Sequence, residues 1–171
     1  MTQNLKSKCK KIKLIITDVD GVLTDGGRYY SIDGEKMKKF HTRDGMGVNI
    51  LLRNGINTII LTKENSKIVR TWAKEMNVTK SYYGVIKKEE KLQTICKKFN
   101  LIPDNIAFIG DDVNDLNLMK KVGFSATPKD GITQAKKNAD YVCKVNGGNG
   151  AFREFSDLIL SIKFPHKTNW Y

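Results

Sequence analysis

The sequence predicts an α/β chain: a doubly wound parallel sheet with a β-hairpin inserted after the first strand. Three observations predict it. Short apolar, β-branched runs alternate with amphipathic helical patterns along the chain. The first run stops at acidic residues and glycine, as a buried parallel strand does at its carboxyl end. One early segment breaks the alternation with two strand-like stretches around Asp33-Gly34.

The elements follow in order. The lysine-rich start, with Lys6, Lys8, Lys10, Lys11 and Lys13, reads as a solvated lead-in. Residues 13–17, Lys-Leu-Ile-Ile-Thr, form the first strand. Residues 28–32 and 35–40 form the hairpin, with Asp33-Gly34 as its turn. Residues 45–54 carry Val48, Leu51 and Leu52 at helical spacing, and 57–62 form the second long strand. A helix over 66–76 presents Ile68, Val69, Trp72 and Met76 as core; a helix over 88–99 presents Leu92, Ile95 and Phe99. Residues 106–109 are a third buried strand, and weaker strands are expected over 80–83, 123–126 and 141–145. Helices over 116–122, 132–138 and 152–162 complete the set, and residues 164–171 read as a disordered tail whose Trp170 and Tyr171 could dock on a neighbour. With no linker-like stretch or repeat, 1–171 is expected to be a single domain, the hairpin occupying about 26–41 and the tail about 163–171.

Composition narrows the function. At 171 residues, 40% hydrophobic and 28% charged, the chain can bury a core as one soluble domain. Thirty Lys+Arg against eighteen Asp+Glu give +12, which brings nucleic acid, membrane surfaces and anionic small molecules into view. The excess is mostly lysine, the arginines being Arg28, Arg43, Arg53, Arg70 and Arg153. Lysine supplies a diffuse field rather than guanidinium forks, which weighs against nucleic acid and for a small anion. Cys9, Cys96 and Cys143 are odd in number and lack CxxC spacing, so neither a disulfide framework nor a zinc site is indicated and a cytoplasmic setting is expected. The apolar runs are too short to span a membrane, and the start has no apolar signal core.

The chemistry lies in Asp18-Val19-Asp20-Gly21-Val22-Leu23-Thr24, at the end of the first strand, where open α/β sheets place ligands. Two carboxylates at i and i+2 on a turn can converge on one hard cation, and Gly21 permits the bend. A second apolar strand ends in Gly110-Asp111-Asp112-Val113-Asn114-Asp115, Thr62 ends a third, and Lys88 opens a helix.

These four motifs, in this order and over most of the chain, resemble the haloacid dehalogenase superfamily of aspartate-nucleophile phosphotransferases. The resemblance implies Asp18 as nucleophile and Asp20 as general acid and base, with an aspartyl-phosphate splitting the hydrolysis into two displacements. It implies Mg²⁺ held by Asp18, Asp111 and the backbone carbonyl of Asp20. Thr62 and Lys88 would hold the phosphoryl group, and Asp112 and Asp115 would support the metal or orient Lys88. Lys88 is preferred over Lys87 and Lys91 because its distance to Gly110-Asp111-Asp112 resembles the family's spacing.

The stretch between Asp18 and Thr62 has no room for a cap. Lys39-Phe40-His41-Thr42-Arg43-Asp44-Gly45-Met46-Gly47 and Gly147-Gly148-Asn149-Gly150-Ala151-Phe152-Arg153-Glu154 resemble capless members that hydrolyse phosphorylated 2-keto-3-deoxy sugar acids. That group includes octulosonate 8-phosphate and nonulosonate 9-phosphate phosphatases, and its hairpins assemble a homotetramer in which neighbours cover each active site. The octulosonate enzymes usually read Thr-Gly-Arg where this chain has Thr62-Lys63-Glu64, a Glu that resembles the nonulosonate branch; Lys63 and Glu64 are therefore substrate-binding candidates. Arg43 is expected at the site mouth, the alternative being an ion pair with Asp44, and Arg153 near the substrate carboxylate or a subunit contact. His41 is open between substrate contact and a structural role. A separate possibility is a non-catalytic oligomerisation domain, related to those fused to cytidylyltransferases, although here every catalytic position is filled.

Overall fold

The computed structural model describes residues 3–167 and 169–170. Six parallel strands form one sheet in the order β5-β4-β1-β6-β7-β8. They are β1 (Leu14–Thr17), β4 (Asn57–Leu61), β5 (Lys80–Tyr82), β6 (Ile106–Ile109), β7 (Phe124–Thr127) and β8 (Tyr141–Val142). β2 (Tyr29–Ser31) and β3 (Gly34–Met37) make the separate antiparallel hairpin. The helices are α1 (Gln3–Lys11), α2 (Thr42–Arg53), α3 (Lys67–Glu75), α4 (Leu92–Phe99), α5 (Leu116–Met119), α6 (Thr133–Asn138) and α7 (Ala151–Lys163).

The central strands are apolar on both faces because helices cover both. Ile15, Ile60, Ala107 and Ile109 pack with side chains of α1, α2, α3 and α7. Leu14, Ile16, Ile59, Leu61, Ile106 and Phe108 pack with those of α4, α5 and α6. Leu14, Ile15 and Ile16 are fully buried. At about 1.5–3 kcal/mol each, they contribute an amount comparable to the whole net stability of a domain. β1 is therefore a rigid platform for whatever its carboxyl end carries.

Local chemistry moves several boundaries. The lysine-rich start is not a solvated lead-in but α1. Cys9 and Ile12 are fully buried and Leu5 packs on the same core, an i, i+4, i+7 stripe hidden among lysines. Lys8 pairs with Asp140 across the surface. α2 starts at Thr42 rather than 45 because His41 caps it, Nδ1 accepting from the Arg43 N–H at 3.2 Å. The helix expected over 88–99 opens as a 3-10 turn, Lys88–Lys91, before α4. β8 ends at Val142 because the N–H groups of Lys144 and Val145 donate to the Glu154 carboxylate instead of a neighbouring strand. The hairpin turn is Ile32-Asp33, with Gly34 already paired to Ser31. At its base Phe40 stacks on Trp72, ring centroids 4.7 Å apart. The tail also folds back: Phe164 and Trp170 pack against the protein's own core, and Thr168 and Tyr171 lie outside the described residues.

α7 begins without a side-chain cap of its own at Gly150. Asp44, on α2 and fully buried, supplies the cap from a distance. Its Oδ1 accepts the Arg153 N–H at 2.8 Å, and the Gly150 N–H also donates to the carboxylate. Asp44 is thus turned inward, and among the described residues it makes no ion pair with Arg43.

Candidate active site

The chain winds from β1 outward to β4 and β5, then returns to the other side of β1 through β6, making β1 the switch point of the sheet. A cavity of about 260 Å³ opens at the carboxyl ends of these strands. Asp18, Asp20, Arg28, Thr62, Lys63, Glu64, Asp111, Asp112, Val113 and Asn114 line it. Three separate strand ends thus converge on one site, as their motifs predict.

Asp18 follows β1, its N–H held by Ile109 O and its Oδ1 accepting the Val19 N–H at 2.7 Å. Lys88 lies beneath it, fully buried, with Nζ 2.6 Å from Asp18 Oδ2 and 2.6 Å from Asp115 Oδ1. Burial pulls the Lys88 ammonium down, but the two carboxylates outweigh it and hold it charged. Asp115 also accepts the N–H groups of Asp111 and Asp112, at 2.9 and 3.3 Å, so it sets both the lysine and the start of the acidic loop. Asp112 is exposed and caps the following 3-10 turn through Val113 N–H.

The carboxylates crowd one another. Burial pushes Asp18 up to about 7, with Asp115 adding to the rise against the opposing pull of Lys88. Burial, followed by Asp18 and Asp115, pushes Asp111 up to about 8. Oxygens of Asp18, Asp111 and Asp115 lie within 4.8 Å of one another, a spacing that suits a metal ion. Asp115 is already committed to Lys88 and two N–H groups. Asp111 Oδ1 is buried with no hydrogen-bond partner, which makes it the free donor of the cluster, beside an Asp18 held by Lys88 and Val19 N–H. Gly21 is required beside them: a Cβ there would sit 2.1 Å from Asp111 Oδ2.

Comparison with known proteins agrees with this geometry. Residues 53–155 match the haloacid dehalogenase-like hydrolase family. The chain is 38% identical over 154 residues to the 3-deoxy-D-manno-octulosonate 8-phosphate phosphatase of Escherichia coli K12, covering 90% of this chain and 82% of that one. It belongs to the haloacid dehalogenase-like hydrolases. Among solved structures, the deoxy-D-mannose-octulosonate 8-phosphate phosphatase of Haemophilus influenzae, in a cobalt-bound form, superposes with a TM-score of 0.89 at 37% identity, covering 91% of both chains. The 3-deoxy-D-manno-octulosonate 8-phosphate phosphatase of Moraxella catarrhalis, in complex with a magnesium ion, a phosphate ion and a KDO molecule, gives a TM-score of 0.92 at 35% identity, covering 95% of this chain and 94% of that one. The doubly wound sheet expected from the strand-helix alternation, with its hairpin, is the fold of these relatives.

Not every candidate reaches the hydrolase's cavity. Lys63 and Glu64 line it. Arg43 and Arg153 instead line a second depression with Lys144, Asn149 and Glu154, and Arg153 pairs with Asp157 at 2.8 Å. Gly147 and Gly148 serve as packing. A Cβ on Gly147 would lie 1.8 Å from Gly21 O, and Gly148 N–H donates to Val22 O. They are pressed against the turn that carries Asp18 and Asp20.

Three hairpin residues at the site escaped the sequence reading: Arg28, Glu35 and Lys38. Arg28 pairs with Glu64 at 3.0 Å and lies 3.7 Å from Asp20 Oδ2. Lys38 pairs with Asp20 Oδ1 and, at 3.1 Å, with Glu35. Their contacts span a fold-back of the chain, and no short spacing rule reveals them.

Proposed function

We propose that this hydrolase is a Mg²⁺-dependent phosphomonoesterase that releases phosphate from 3-deoxy-D-manno-octulosonate 8-phosphate. The observation that carries the reading is the carboxylate pair at the end of β1. Asp18 is anchored by Lys88 and Val19 N–H, while Asp20 Oδ2 is buried and lacks a hydrogen-bond partner. The named activities of the relatives support the substrate.

In this reading Asp18 attacks phosphorus, the P–O bond to the sugar breaks, and Asp20 gives its proton to the departing alkoxide. Asp20 then takes a proton from water as that water attacks the aspartyl-phosphate, which frees Asp18 and inorganic phosphate. Thr62 holds a phosphoryl oxygen from the cavity wall, Lys88 supplies positive charge from beneath through Asp18, and Lys63 adds positive charge at the rim. The orphaned Asp111 Oδ1 and the repulsion between Asp111 and Asp18 fit a divalent cation, with Asp18, Asp111 and the Asp20 carbonyl as its ligands. Bound Mg²⁺ supplies Lewis-acid neutralisation of the phosphoryl oxygens. Asp112 and Asp115 act in support, Asp115 through Lys88.

Glu64 favours a second reading, a nonulosonate 9-phosphate, because it brings a carboxylate to the cavity rim and engages Arg28. Tyr29, Tyr30, Ile32 and Met37 expose a band of apolar surface on the hairpin, which supports assembly into a homotetramer whose subunits cover one another's open sites. Arg43 and Arg153 would then face a subunit contact rather than their own cavity. The free, buried Cys9, Cys96 and Cys143 suit a reducing cytoplasm, and no helix among the described residues is long and apolar enough to cross a membrane.

A phosphate-release screen across sugar-acid phosphates with Mg²⁺ tests the substrate. Octulosonate 8-phosphate is expected to give the highest kcat/KM, and a nonulosonate 9-phosphate in that place would replace the first reading with the second. Asp18→Asn should abolish turnover with the fold intact; undiminished activity in that variant would overturn the mechanism.

A further inference from the structure

We infer that Lys38, reaching in from the hairpin, is a positioning residue for the proton-transferring carboxylate of Asp20, and that Glu35 sets Lys38. The inference rests on the assignment of proton transfer to Asp20.

Most hairpin side chains face solvent, including Tyr29, Tyr30, Ile32 and Met37. Lys38 does not: its side chain is 0% exposed. A lysine kept for solubility leaves its ammonium in water, and burying one is strongly unfavourable unless carboxylates meet it. Two do. Nζ contacts Asp20 Oδ1 and lies 3.1 Å from Glu35 Oε1. Glu35 is fixed in turn by the Ser66 hydroxyl, which donates to Oε2 at 2.8 Å from the start of α3, and by Arg28 Nε at 3.9 Å.

The two oxygens of Asp20 consequently have different surroundings. Oδ1 is tied down by Lys38, with the Thr24 hydroxyl at 3.4 Å. Oδ2 has no hydrogen-bond partner and belongs to a residue lining the cavity, with Arg28 Nη2 at 3.7 Å. One oxygen anchors and the other is left for the proton. General acid and base catalysis needs the reacting oxygen within hydrogen-bond reach of the leaving group, so a carboxylate free to rotate would lose most of its effect. The hairpin therefore takes part in the chemistry of its own subunit.

The test compares two leaving groups. A sugar alkoxide needs a proton as it departs, whereas 4-nitrophenolate does not. For Lys38→Met, kcat/KM with the sugar-acid phosphate released fastest in the screen should fall about 10–100-fold, while that with 4-nitrophenyl phosphate should stay within about threefold. Lys38→Arg should recover part of the loss, and Glu35→Gln should show the same selectivity more weakly. An equal loss with both substrates, or no loss with either, overturns the inference. If Lys38→Met does not fold, as judged by thermal melting, Glu35→Gln decides by the same comparison. Asp20→Asn is measured alongside. Full sugar-phosphate turnover in that variant would remove the proton-transfer assignment itself, a failure distinguishable from Lys38 not positioning Asp20.

Discussion

Asp44→Asn isolates the cost of keeping a carboxylate at the start of α7. Burial pushes the Asp44 carboxyl up from 3.8 to about 6, against the opposing donation of the Arg153 and Gly150 N–H groups. A folded value above the unfolded one means that the folded state holds its proton more tightly. Stability from this group is thus full below pH 3.8 and is lost as pH rises through about 6. At about 1.36 kcal/mol per pH unit the whole loss is about 3 kcal/mol, of which about 2–3 kcal/mol falls between pH 4 and pH 8. Asparagine retains an oxygen for the two N–H donors and does not ionise. Its amide, however, meets the buried position of Oδ2, which has no partner, at a cost of about 1–3 kcal/mol that does not vary with pH. Urea unfolding of both proteins across this range should show the variant gaining on the parent by about 2–3 kcal/mol as pH rises, or about 4–12 °C in Tm at this chain length. A pH-independent difference, or one that shrinks with pH, would refute the reasoning.

Other outcomes follow from the same geometry. Lys88→Met leaves Asp18 and Asp115 facing each other without their shared cation; in metal-free buffer it should lose about 3–5 kcal/mol in denaturant unfolding, and a loss below about 1 kcal/mol contradicts the buried triad. Gly147→Ala places a methyl group 1.8 Å from Gly21 O, so it should cost about 1–3 kcal/mol and lower kcat by displacing the turn that carries Asp18 and Asp20. Chelation with EDTA should abolish phosphate release, and Mg²⁺ should restore it. Mg²⁺ should also raise Tm, by the equivalent of about 2.7 kcal/mol at a hundredfold excess over Kd, and Asp111→Asn should blunt that rise.

The parts of the fold legible in the sequence are those where burial and spacing coincide. β1, β4 and β6 stand out because both faces are covered, so their apolar runs are uninterrupted. α1 was obscured because its apolar stripe, Leu5, Cys9 and Ile12, is thin and each member is flanked by lysine or a polar residue. The start of α2 lies three residues before the apolar pattern because a cap, His41, decides it, whereas α7 begins within one residue of its expected start. At the site, Asp18, Asp20, Thr62, Lys88 and Asp111 were legible as strand ends and a helix start. Arg28 and Lys38 were not, because what brings them to Asp20 is the return of a hairpin whose own residues look like surface.

The packing of Gly147 and Gly148 against the Asp18–Asp20 turn bears on how the protein comes into being at the ribosome. β1 and its carboxylates are translated well before the segment that braces their turn and α7 behind it. A nascent chain halted before residue 147 would carry Asp18, Thr62, Lys88 and the acidic loop, but not the wedge that shapes the turn. Competence for phosphoryl transfer should therefore arrive only once residues 147 and 148 have packed against that turn, which would keep shorter nascent chains from acting on phosphate esters.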